Sequence, residues 1–178
     1  MKRILFLLPL LVPSVAMAHP GHGFGLEAGV LHPLTGADHL LAMVGVGLWA
    51  ATLGCKARFV VPATFLTAMA LGAAFVPGLG GLIEPMILAS VILLGAAVAL
   101  ALRAPLWAAL PMVALMGLAH GAAHGAEGSG AGFLLGMLTA TAALHALGLA
   151  LGLTLNRAAL RLSGAMALLA GVTLAFAG

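Results

Sequence analysis

The chain has 178 residues, of which 63% are hydrophobic and only 6% are charged, with a formal net charge of +3 at pH 7. A soluble domain carries about 25% charged residues, so this composition excludes a water-soluble fold and predicts an all-α integral membrane protein. The single cysteine, Cys55, excludes an intrachain disulfide and a multi-thiolate metal site, and the few scattered cations give no support to nucleic-acid binding.

The N-terminus has the pattern of a secretory signal peptide. Lys2 and Arg3 precede an apolar run, and Ala16-Met17-Ala18 is a small-x-small cleavage site. We predict that residues 1–18 are removed and that 19–178 form one transmembrane domain. The alternative is a retained first helix, but it would be short and interrupted by prolines.

Two histidines, His19 and His22, follow the predicted cleavage point. After cleavage the amine and the imidazole of His19 could together chelate a cation outside the membrane, and His22 could add a third nitrogen. The alternative interpretation is a frayed terminus with incidental histidines.

Six apolar segments follow, and each approaches the roughly 20 residues that span the hydrocarbon. They lie at about 28–53, 59–77, 84–102, 105–125, 131–155 and 158–177. The cations of the predicted mature chain all fall in alternate connections, at Lys56, Arg58, Arg103, Arg157 and Arg161. The positive-inside rule places those connections in the cytoplasm. We therefore predict a six-helix transmembrane bundle with both termini outside, which would allow an inverted 3+3 repeat.

The first apolar segment carries His32, Asp38 and His39. Ionisable groups at membrane depth are costly and usually mark a functional site. The two histidines share a helical face but lie about 10.5 Å apart along a straight helix, so one ion could bridge them only if the helix breaks near Pro33 and Gly36. Asp38 has a second interpretation, because it lies three residues after Thr35, as in a capping box.

The fourth segment ends with His120, His124 and Glu127. Residues four apart lie on one helical face, so both histidines could reach one ion, and the alternative is two histidines bonded to backbone carbonyls. Glu127 falls in the following outer connection, as a recruiting ligand or a solvated acid. His145 lies in the middle of the fifth segment, where it is either a deep relay ligand or a packing residue.

Together these residues form a graded series from the outer face inwards. Nitrogen and oxygen donors suit Ni, Co, Zn, Fe or Cu(II), whereas Mg and Ca prefer sites built from oxygen alone. The predicted partners are therefore a divalent transition-metal ion and the lipid bilayer. The metal would be the transported substrate, and no cofactor is expected.

The stretch His32-Pro33-x-x-Gly36-x-Asp38-His39, followed by Ala42-Met43 and Gly45-x-Gly47-x-Trp49-Ala50, closely resembles the signature of the HupE/UreJ family. These proteins are hydrogenase- and urease-accessory nickel permeases. The segment His120-Gly-x-Ala-His124-Gly-x-Glu127 resembles the second motif of the family. The leader and the six spans also match, so the resemblance covers the whole chain.

The resemblance implies uptake of Ni²⁺, with Co²⁺ as the open alternative, across the bacterial inner membrane for the assembly of nickel enzymes. It leaves open a homo-oligomer or a downstream nickel chaperone as partner. Two other functions compete. One is an intramembrane metal-dependent hydrolase, with His120 and His124 as ligands and Glu127 as base, and the other is a metal-binding accessory protein that does not transport.

Overall fold

A computed structural model of the chain describes residues 25–76, 80–125 and 130–177. The predicted signal peptide, His19 and His22 lie outside these residues, and cleavage after Ala18 stays a prediction.

Seven α-helices and a 3₁₀ turn at Gly80–Leu82 make up the regular structure of the described residues. The helices are α1 (Leu26–Thr35), α2 (Ala37–Leu53), α3 (Ala57–Phe75), α4 (Ile83–Ala99), α5 (Leu106–Gly125), α6 (Gly130–Thr154) and α7 (Arg157–Ala177). The predicted all-helical class is confirmed, and the first predicted segment is divided into two helices.

Within the described ranges, five helices are long and apolar enough to cross a membrane. Helices α1 and α2 pass the same test only together, with a bend of 84° between them, and would make a sixth span if counted as one. Many leucines point outwards from the bundle, among them Leu135 and Leu169 with 60% and 65% of their surface exposed. A bundle with an apolar exterior is a multi-pass membrane protein, because only lipid can cover such a surface.

Glycines set the close packing of the helices. Helix α5 presents Gly117, Gly121 and Gly125 to α3 at intervals of four residues, and a methyl group added at Gly121 would overlap the Met69 carbonyl. Small residues at this spacing let two membrane helices approach until their backbones touch. Glycine contacts of the same kind join α4 to α7, α2 to α6 and α1 to α6.

The two tryptophans have different environments. Trp107, at the start of α5, is 80% exposed, as expected for an anchor in the membrane interface. Trp49 is buried in the core, and its Nε1–H donates a hydrogen bond to the Leu102 carbonyl at 3.0 Å. Trp49 therefore joins the end of α2 to the connection after α4.

Candidate metal site

The site begins at the break between α1 and α2. Helix α1 ends at Thr35, and Gly36 takes an extended conformation with φ −84° and ψ 115°. Pro33 has no N–H to continue the hydrogen-bond ladder, and the Thr35 hydroxyl donates back to the carbonyls of Leu31 and His32. The interpretation of Thr35 as a cap of the next helix was therefore wrong, because Gly36 holds that position without a side-chain bond. The predicted break itself is confirmed.

The bend brings His32 and His39 together although they are seven residues apart. Their ring centroids lie 5.2 Å from each other. Helix α5 adds His124, whose ring centroid is 4.3 Å from that of His32 and 5.2 Å from that of His39. Each of these three side chains offers a ring nitrogen, and the three nitrogens lie within 4.8 Å of one another. We call His32, His39 and His124 the histidine cluster.

Two nitrogens of the histidine cluster already lie at the separation that one metal ion requires. The Nε2 atoms of His39 and His124 are 3.0 Å apart. Two imidazole nitrogens at about 2.1 Å from a shared metal lie roughly 3 Å apart when they occupy neighbouring coordination positions. An ion between these atoms would therefore need little rearrangement, and both histidines are buried.

Asp38 lies beside the histidine cluster and contacts His39 in two ways. Its Oδ1 accepts a hydrogen bond from the His39 backbone N–H at 2.8 Å and lies 3.0 Å from His39 Nδ1. Because an ionised carboxylate can only accept, the proton of His39 belongs on Nδ1, and the Nε2 lone pair points to His124. A carboxylate behind a ligating histidine orients the ring and raises its basicity. Direct ligation by Asp38 stays a prediction.

His120 lies one helical turn before His124, and its ring centroid is 4.9 Å from that of His39. Its Nε2 is 3.0 Å from Ser90 Oγ, and the Ser90 hydroxyl donates its own proton to the Ile87 carbonyl. His120 Nε2–H must therefore be the donor, which leaves a lone pair on Nδ1. That Nδ1 is buried and has no hydrogen-bond partner among the described residues.

His145 lies apart from the histidine cluster. It is 2% exposed, and neither of its ring nitrogens has a hydrogen-bond partner within the described part of the chain. The Phe65 ring contacts both deep histidines, with centroid distances of 5.1 Å to His145 and 5.4 Å to His120. The two predicted roles of His145, a deep relay ligand or a packing residue, both stay predictions.

A cavity of about 290 Å³ borders His124 and is lined by Phe133, Leu134 and Met137 among others. It lies between the end of α5 and the start of α6. Glu127, predicted as a recruiting ligand, lies outside the described residues, so its place relative to the cavity stays a prediction.

Sequence reasoning missed two residues of the site, Ser90 and Phe65. Ser90 is the only hydroxyl residue in the apolar segment 84–102, and a lone polar residue at membrane depth was the available signal. Phe65 carries no comparable signal, because phenylalanine is expected throughout an apolar segment. Cys55 is exposed beyond the end of α2, so nitrogen donors define the chemistry of the site.

Comparisons with known proteins match this chain over most of its length. A family model described as "HupE / UreJ protein" matches residues 6–174. The chain is also 44% identical over 116 residues to Protein HupE of Rhizobium leguminosarum bv. viciae, an alignment that covers 62% of this chain and 60% of that protein. The aligned part thus spans less than two thirds of the curated relative. No solved structure matches the chain.

Proposed function

This chain belongs to the HupE/UreJ family, and on that premise we propose that it carries Ni²⁺, with Co²⁺ as the competing substrate, from the periplasm to the cytoplasm. The observation that carries the proposal is the histidine cluster, in which a broken helix and a second helix bring three imidazoles to within 4.8 Å at one end of a membrane bundle. Nickel permeation is also what the two sequence motifs imply. The imported nickel would be used in the maturation of nickel enzymes.

The ligand set matches a late first-row divalent metal. Imidazole suits Co, Ni, Cu and Zn, and the affinity of nitrogen donors rises from Co through Ni to Cu and falls again at Zn. A hydrated ion would exchange its water molecules for imidazoles one at a time. A site of this kind must bind tightly enough to admit the ion and weakly enough to release it.

The deeper histidines provide the next steps of the proposed route. His120 offers a buried Nδ1 lone pair beside His39, and His145 offers two buried nitrogens on the far side of Phe65. An unpartnered buried nitrogen costs free energy, and a passing ion would repay that cost. We propose the order histidine cluster, His120, His145, with His19, His22 and Glu127 capturing the ion outside.

The charges support the orientation in the membrane on which the proposed direction of transport depends. Arg103 precedes α5 and His124 lies near its end, so a helix of about 30 Å separates the cations from the histidine cluster. The positive-inside rule places the cations in the cytoplasm. The histidine cluster would then face the periplasm, with six spans in the inner membrane, both termini periplasmic and the leader removed.

Helix pairing supports the proposed 3+3 repeat. In such a repeat, α2 corresponds to α5, α3 to α6 and α4 to α7. The packing of α2 on α6 then corresponds to the packing of α5 on α3, and the packing of α4 on α7 corresponds to itself. Packing of α2 on α4 has no equally extensive counterpart among the described residues. The repeat would therefore be approximate and not an exact symmetry.

Uptake of radioactive nickel into vesicles containing the purified protein tests the proposal. We expect His39→Ala and His124→Ala to abolish uptake, and Thr139→Ala, an exposed change on α6, to leave it unchanged. Cobalt, zinc and copper added as competitors would rank selectivity. Undiminished uptake by both histidine variants would refute the proposed route, and nickel binding without any uptake would favour the non-transporting accessory protein.

The enzyme alternative has a separate test. A hydrolase would need a base aimed at a metal-bound water, and Asp38, the carboxylate described next to the histidine cluster, contacts His39. Hydrolysis of a model substrate that is lost in the Glu127→Ala variant would favour the enzyme.

A further inference from the structure

A second cavity lies at the opposite end of the bundle from the histidine cluster. Its volume is about 600 Å³, and it lies where α2, α4, α6 and α7 end or begin. Three arginines line it, namely Arg103 from the connection before α5 and Arg157 and Arg161 from the first turns of α7. The remaining wall includes Leu100, Leu155 and Leu160. The cavity therefore combines guanidinium groups with aliphatic side chains.

Among the residues that the structure describes, no carboxylate lies at the end of the bundle that carries the three arginines. The chain contains four acidic side chains, Glu27, Asp38, Glu84 and Glu127. Glu27, Asp38 and Glu84 lie in the first turns of α1, α2 and α4, each a helix length away from the arginines along its own span. Glu127 lies outside the described residues. Three positive charges that converge without internal compensation are expected to attract an external anion.

The backbone positions two of the arginines. Arg161 donates from Nε to the Ala99 carbonyl at 2.8 Å, so its two terminal nitrogens remain for a ligand. Helix α4 ends in a Schellman pattern, in which Leu102 N–H bonds the Ala97 carbonyl at 2.8 Å and Ala101 N–H bonds the Val98 carbonyl at 3.0 Å. This turn directs the chain to Arg103. In the described residues, the side chains of Arg103 and Arg157 make no hydrogen bond or ion pair.

The surroundings favour a lipid as the source of the anion. Trp107 and Phe59, at the starts of α5 and α3, are 80% and 75% exposed, which is typical of residues in the interfacial layer of a membrane. The arginines thus lie at the level of the headgroups. Guanidinium binds phosphate through two parallel hydrogen bonds, and basic pockets between membrane helices on the cytoplasmic side are suited to anionic headgroups.

We propose that Arg103, Arg157 and Arg161 bind the phosphate of an anionic phospholipid whose acyl chains lie against the leucines of the cavity. The proposal does not depend on metal transport. It concerns the other end of the bundle and stands or fails on lipid binding alone.

Native mass spectrometry of the purified full-length protein with added phosphatidylglycerol or phosphatidylcholine tests the proposal. We expect phosphatidylglycerol to bind more tightly than phosphatidylcholine. Arg157→Gln should weaken phosphatidylglycerol binding about tenfold, because it removes charge-assisted hydrogen bonds. Lys56→Gln is the matched control, since it removes one exposed cation from the same end without touching the cavity wall.

Arg157→Lys is a second variant, which keeps the positive charge but cannot form the two parallel hydrogen bonds of a guanidinium group. It should bind phosphatidylglycerol with intermediate affinity. Circular dichroism checks that each variant retains its helices. Equal losses in the Arg157→Gln and Lys56→Gln variants, or equal binding of the two lipids, would overturn the proposal. Displacement of phosphatidylglycerol by inorganic phosphate would also overturn it, because the cavity would then be a site for a free anion.

Discussion

Replacement of Asp38 by Asn separates two roles that this carboxylate could play. The change preserves the shape of the side chain and removes the negative charge of the carboxylate, which accepts hydrogen bonds from His39. Asp38 Oδ1 is 3.0 Å from His39 Nδ1 and 2.8 Å from the His39 N–H. An amide is a weaker acceptor, and its NH₂ group can also turn towards Nδ1, which would move the ring proton to Nε2 and block the lone pair that faces His124.

The expected magnitude follows from the indirect role. Loss of a carboxylate that supports a ligating histidine typically weakens metal binding about 10- to 100-fold, which corresponds to roughly 1.4–2.7 kcal/mol. We therefore expect the Asp38→Asn variant to bind Ni²⁺ about 10- to 100-fold more weakly than the unchanged protein. His39→Ala removes a ligand itself and should reduce affinity further.

Isothermal titration of purified protein with Ni²⁺ at constant pH measures both variants, with Thr139→Ala as the control. Unchanged affinity in Asp38→Asn would refute the orienting role. A loss as large as that of His39→Ala would show instead that the carboxylate ligates the metal directly.

Three further predictions concern stability and pH. Gly121→Ala should lower the free energy of unfolding by about 1–3 kcal/mol, because the added methyl group overlaps the Met69 carbonyl. Thermal unfolding in detergent measures the change. Gly81→Ala is the control and should leave the free energy of unfolding unchanged, because its added methyl group meets open space. Ala101→Gly should raise the free energy of unfolding by about 0.5 kcal/mol. Ala101 has a φ of 51°, a conformation that costs an L-residue about 1–2 kcal/mol, and relief of that strain exceeds the entropy of about 0.5–1 kcal/mol that glycine loses on folding. Ala165→Gly, in an exposed helix interior, should lower the free energy of unfolding by about 1 kcal/mol. Affinity for Ni²⁺ should fall as the pH is reduced, because a ring nitrogen that binds a metal ion must be free of its proton. An affinity independent of pH in the same titration would argue against histidine ligation.

Much of the fold could be predicted because membrane helices have a strong local signal. Length and hydropathy alone mark the helices. The predicted segment 105–125 differs from α5 by one residue at its start, and the predicted segment 131–155 differs from α6 by one residue at each end. The first segment was harder. Pro33 and Gly36 indicated a break, but the angle of 84° depends on how α1 packs against α6 through Gly29 and Gly136.

The sequence predicted which residues belong to the site, but it did not predict which of them lie together. The spacing of His120 and His124 indicated one shared ion, whereas the tertiary structure groups His124 with the two histidines of the broken helix and places His120 against Ser90. A spacing of four residues shows that two side chains share a face of their own helix. It does not show which residues of other helices that face meets.

From the sequence by itself one could determine the membrane class, the helical segments, the end of the bundle that carries the cations and the residue types able to hold a divalent metal. All of these depend on composition and on spacing within one helix. Only the tertiary structure decided which three imidazoles meet, that Asp38 supports His39, and that Phe65 lies against both His120 and His145. The physical reason is that glycine contacts between distant segments set how each helix is rotated and how deeply it sits against its neighbours, and no pattern within a single segment contains that information.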